Sequence, residues 1–96
     1  MAQVGYVYLI HAMGTKRYKL GRSLDVNKRL QSLGQQCPFP LKLLASAYVI
    51  DYIKEEKRLH TLAKQYHAHG EWFDLPDDWL RDFADTQMTR RTSQQE

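Results

Sequence analysis

Ninety-six residues, 43% of them apolar, suffice for one domain with a single core. The lone cysteine, Cys37, excludes an internal disulfide and a Cys-rich zinc knuckle, and no stretch reaches the length of a membrane span or starts as a signal peptide, so a cytoplasmic protein with no membrane partner is expected. Net charge is +3, but residues 1–50 carry seven Lys or Arg against Asp25 alone, and residues 51–96 carry seven against ten acids, which makes the first half a candidate phosphate-binding face.

Gly5–His11 (GYVYLIH) is aromatic and β-branched and predicts a strand. Ala12–Arg17 is polar, contains Gly14 and reads as a hairpin loop, with Tyr18–Arg22 as the returning strand. Ser23 or Asp25 can cap a helix running to about Leu33, with stripe Val26, Leu30 and Leu33 and Gly34 as its stop. Cys37-Pro38-Phe39-Pro40 predicts an extended connector, because each proline disfavours helix before it. The continuous apolar run Leu41–Ile50 reads as a central strand, and Asp51 then caps a long helix ended by His69-Gly70. Glu71–Leu75 is a short extended or turn segment with Trp72 and Phe73 as core candidates, and Pro76 or Asp77 opens a last helix facing inward through Trp79, Leu80 and Phe83. The order β-β-α-β-α-α implies a small α+β fold of the α/β class, a three-stranded antiparallel sheet flanked by helices. It occupies one domain, residues 1–86, followed by an aperiodic tail, 87–96, expected to be mobile.

The long helix carries one residue out of place. Its apolar positions Tyr52, Leu59, Ala63 and Tyr66 recur at three- and four-residue steps, and Glu56 falls in the same stripe. A carboxylate facing a core needs a cation, a metal or donors; otherwise it sits at the stripe edge and snorkels to water. Lys19, Arg22 and Arg29, beside Tyr6 and Tyr8, are the available partners, and an acid opposite such a face marks a candidate site.

Tyr6-Val7-Tyr8 is followed, after ten residues, by Lys19-Leu20-Gly21; Arg29 comes eight positions after that glycine and Glu56 lies on the second long helix. This layout resembles the GIY-YIG nuclease superfamily. Val7-Tyr8 stands at the second and third letters of the first motif and Leu20-Gly21 at the last two of the second. Arg29 matches the family's catalytic arginine and Glu56 its metal-binding glutamate. The runs Tyr18-Lys-Leu-Gly-Arg-Ser, Lys28-Arg29-Leu30, Glu56-x-x-Leu59-His60 and Gly70-Glu-Trp-Phe73 are similar to a compact phage and bacterial branch, across roughly residues 5–75. The chain departs from the pattern where Tyr6 replaces the first glycine, where Lys19 replaces the first tyrosine of the second motif, and where an asparagine often follows the glutamate, since Asn27 is its only asparagine.

The resemblance implies a metal-dependent DNA endonuclease or nicking domain of low intrinsic sequence specificity. RNA is not distinguished from DNA as partner, and a separate protein could supply specificity. Its cofactor would be Mg²⁺ or Mn²⁺ on Glu56, because magnesium keeps most of its waters and needs few protein ligands. Tyr8 would be general base, its pKa lowered by Lys19 and Arg22, while Arg29 grips the phosphate bidentately. Tyr6, Arg22, Lys28 and His60, one helical turn from Glu56, complete the expected substrate contacts. Tyr8 as a core tyrosine, His60 as a structural histidine and Trp72 as a core plug rather than a base-stacking ring are the non-functional alternatives. A non-catalytic nucleic-acid-binding module or a protein-interaction domain are the competing functions.

Overall fold

The computed structural model describes residues 3–83; the tail expected at 87–96 lies outside them. Along the chain come strands β1 (Gly5–Ala12) and β2 (Arg17–Ser23), helix α1 (Val26–Gln36), strand β3 (Leu41–Val49) and helix α2 (Tyr52–Leu62). A 3-10 turn (Lys64–Tyr66), strands β4 (His67–His69) and β5 (Trp72–Asp74) and helix α3 (Asp77–Phe83) follow. The expected helix starts hold: Asp25 and Asp51 accept from the backbone N–H of Lys28 and Lys54, satisfying donors that a helix leaves open.

The sheet has five antiparallel strands in the order β3-β1-β2-β5-β4, which corrects the expected three-stranded sheet. The extra pair comes from residues assigned to a helix end and a turn. Helix α2 stops at Leu62, the 3-10 turn folds the chain back, and Gly70 (φ 58°) adopts the left-handed conformation that reverses it again. Trp72–Asp74 then pairs with Arg17–Lys19 of β2, and His67–His69 pairs outside it. Three-residue strands leave no readable alternation.

Two further expectations are corrected. Leu41–Ile50 is not central: β3 forms one edge, and β1 lies inside the sheet between β3 and β2, with Val7, Tyr8, Leu9 and Ile10 fully buried. An apolar run reads as doubly covered, but Leu44, Tyr48 and Ile50 stay exposed. Helix α1 passes through Gly34 to Gln36, and Cys37, extended before Pro38, is what stops it.

Helices cover both faces. On one, Val7, Leu9, Leu20, Leu59, Phe73 and Phe83 form a core under α2 and α3; on the other, Tyr8, Ile10 and Val26 pack with Leu30 and Leu33 of α1. Phe73 is buried as expected, whereas Trp72 is half-buried. Among the described residues no helix is long and apolar enough to cross a membrane.

Candidate functional site

Strand β2 organises the site because alternation sends neighbouring residues to opposite faces. Its partner β1 pairs Tyr8 with Gly21 and Ile10 with Lys19, which sets Tyr8 and Lys19 on the α1 face. Val7 pairs with Arg22, which sets Arg22 on the α2 face, where Glu56 meets it. Gly21 lies between the two groups. A β-carbon there would run into the Tyr8 hydroxyl, so the tyrosine ring lies directly across the glycine. The second-motif glycine thus makes room for the first-motif tyrosine.

On the α2 face, Arg22 Nε donates to Glu56 Oε1 at 3.1 Å, and the guanidinium lies 5.3 Å from the Tyr52 ring centre. The Glu56 side chain is only 12% exposed, and its second oxygen, Oε2, is buried without a hydrogen-bond partner. Burial holds the Glu56 carboxyl above the usual carboxylate range and the nearby charge of Glu71 adds to this; the Arg22 hydrogen bond and His60 oppose it.

The Tyr8 hydroxyl is also buried and makes no well-formed hydrogen bond, although the Arg29 guanidinium lies within reach of it. Burial pushes its phenol pKa up; the Arg29 guanidinium draws it down by less, and the charges of Glu71 and Glu56 push it up further. This corrects the expected lowering: a ring 1% exposed loses more hydration than one neighbouring guanidinium returns. The same influences place Tyr8 within electrostatic reach of Arg29, Glu71 and Glu56, and Glu56 within reach of Glu71.

Lys19 is buried, its side chain 9% exposed, and forms an ion pair of 3.0 Å with Glu71. Its ammonium also sits 5.4 Å from the Trp72 ring centre. The lysine at the tyrosine's motif position is therefore neutralised by a residue the sequence reading did not single out. The signal for Glu71 was its place in the Gly-Glu-Trp-Phe run, which the β4–β5 turn brings beside β2; Leu20 N–H donates to the Glu71 carbonyl.

His60 projects from α2 and its Nε2 lies 2.7 Å from the Leu20 carbonyl, so the ring donates from Nε2 and ties α2 to β2. It packs edge-on against Phe73. That nitrogen is committed to a structural bond. Tyr6 packs on Tyr48 of β3 at 5.1 Å, and Lys28 stands exposed in the first turn of α1; no described contact brings either to Glu56.

Among the described residues no cluster of three or more His, Cys, Asp or Glu could hold a metal. A single carboxylate with one unpartnered oxygen does not fit tetrahedral zinc; it fits an ion that keeps its waters, such as magnesium or manganese.

A family model described as the T5orf172 domain matches residues 5–88. No curated protein and no solved structure matches the chain. The chain therefore belongs to the T5orf172 domain family, which is associated with nuclease-related phage proteins.

Proposed function

We propose that this member of the T5orf172 domain family is a divalent-metal-dependent endonuclease or nicking domain of the GIY-YIG superfamily, hydrolysing DNA phosphodiester bonds with low intrinsic specificity. The observation that carries the reading is Glu56 Oε2, a buried carboxylate oxygen without a partner and within electrostatic reach of Tyr8. A scaffold has no use for such an oxygen, which costs about 1–3 kcal/mol while it stays unpaired. A magnesium or manganese ion held by Glu56 would stabilise charge on the phosphate and the leaving oxygen.

The chain's own groups divide the remaining work. Arg29, exposed on α1 and facing Tyr8, presents a planar fork to a phosphate. Arg22 holds Glu56 in place through Oε1 and leaves Oε2 free. The Tyr8 phenol, held protonated by burial, donates a hydrogen bond that orients the attacking water. Its use as a base requires added positive charge to outweigh that burial.

A second reading, a nucleic-acid-binding module without turnover, is favoured by one observation: the Lys19 ammonium is taken up by Glu71 and is not free to hold the reacting phosphate or its water. Supercoiled plasmid incubated with magnesium, manganese or EDTA separates the two. Metal-dependent nicking by wild type, lost in a folded Glu56→Ala variant, is the expected result. Binding without nicking supports the second reading, and neither binding nor nicking refutes both.

A further inference from the structure

Away from Glu56, three segments distant in sequence enclose a cleft of about 750 Å³. The β1–β2 loop contributes Lys16 and Arg17, the connector after α1 contributes Phe39, and the β4–β5 hairpin contributes Trp72. Its volume is that of a site for a small ligand or a single nucleotide.

The chemistry of the walls narrows the occupant. Phe39 is 47% exposed although large and apolar, on a connector stiffened by Pro38 and Pro40. Trp72 is half-buried, anchored by its pairing with Lys19 in β2. Two aromatic rings lining one cleft are the residue type on which a base stacks through its π-face. Lys16 places a positive charge at the same walls, and Arg17 beside it is paired at 2.8 Å with Asp74, which also lines the cleft. A purely apolar ligand would leave Lys16 without a role, and an acidic peptide would leave the rings without one.

Trp72 also connects this cleft to the candidate site: the ring that lines the cleft is the ring beneath the Lys19 ammonium, and Lys19 pairs with Glu71, whose charge acts on Glu56 and Tyr8. We infer that the cleft is a subsite for one unpaired nucleobase flanking the phosphate held at Tyr8, Arg29 and Glu56, with Phe39 and Trp72 as its stacking rings. This rests on the nuclease reading and deepens it. The substrate class becomes DNA with an unstacked nucleotide, as in a bulge, a flap or a single-stranded end, rather than uniform duplex.

The test compares binding of three fluorescent DNAs of the same length: a blunt duplex, a duplex with a one-nucleotide bulge, and the same bulge made abasic. Wild type is expected to prefer the bulge over the other two, and 2-aminopurine in the bulge to change emission on binding. Phe39→Ala, at an exposed connector position, should lower affinity for the bulge roughly 5- to 100-fold while leaving the blunt duplex and the abasic bulge unchanged. Phe39→Tyr should restore it. Trp72→Phe, which keeps a ring, should lose less than Phe39→Ala. Equal affinity of wild type for all three DNAs, or a Phe39→Ala variant that keeps the preference, overturns the subsite; if blunt duplex is still bound and nicked, the nuclease reading survives. Absence of binding to any of the three overturns both.

Discussion

Glu56→Gln should separate what this residue does for function from what it costs the fold. The carboxylate has one oxygen on Arg22 and one buried without a partner. An unsatisfied buried acceptor costs about 1–3 kcal/mol, more when charged, and a pair with a partly exposed arginine offsets about 0–1 kcal/mol. Replacing the charge by a neutral amide of the same shape should therefore stabilise the metal-free protein by about 1 kcal/mol, or about 4–8 °C in a domain of this size. The pH dependence follows from the raised pKa. The folded chain holds the Glu56 proton more tightly than the unfolded chain, so this group favours folding most in acid. That contribution is lost as pH rises from the ordinary glutamate range through the raised folded value. The variant should lack this decline, and its advantage should be largest at neutral pH. Added magnesium should raise the melting temperature of wild type and not that of the variant, since a ligand stabilises only the state that binds it. Thermal melts from acid to neutral pH, with and without magnesium, check both points. A variant less stable than wild type at neutral pH refutes the buried-charge argument; equal stabilisation of both proteins by magnesium refutes the metal role.

Gly21→Ala drives a β-carbon into the Tyr8 hydroxyl, so it should cost about 1–3 kcal/mol and reduce nicking together, read by melts and plasmid assay. Lys19→Met should lower nicking by about one to four orders of magnitude. If the lysine acts only by neutralising Glu71, Lys19→Met with Glu71→Gln should recover the rate; no recovery assigns Lys19 a direct contact with substrate. Duplex binding should weaken steeply with salt, and Lys28→Ala, which removes an exposed cation, should reduce the slope of log K against log salt by about one for every sequence alike. Arg17, Lys19 and Arg22 are already paired with Asp74, Glu71 and Glu56, so the total slope should fall short of the count of basic residues in the first half. A salt-independent complex would refute phosphate contact.

Local chemistry made several elements legible without coordinates. Asp25 and Asp51 are short acids before apolar stripes, and both cap helices as such residues do. Alternating tyrosines and β-branched residues in Gly5–His11 predict a strand whatever surrounds it. Glu56 stood out because helical periodicity alone assigns it to the inward stripe, and it is nearly buried. Each of these depends on contacts within a few residues. Tertiary packing decided the rest. Whether Leu41–Val49 lies at the centre or the edge depends on whether a further strand pairs along its outer side, and no local period encodes that. The strands β4 and β5 exist because β2 offers a free edge, which turns three residues of weak propensity into a ladder. The direction of the Tyr8 pKa depended on how deeply the ring is buried against how close Arg29 comes, two opposing quantities that only the folded positions supply. Glu71 joined the site for the same reason: a reversal at Gly70 carries it beside Lys19, 52 positions earlier in the chain, and burial then makes their pairing count.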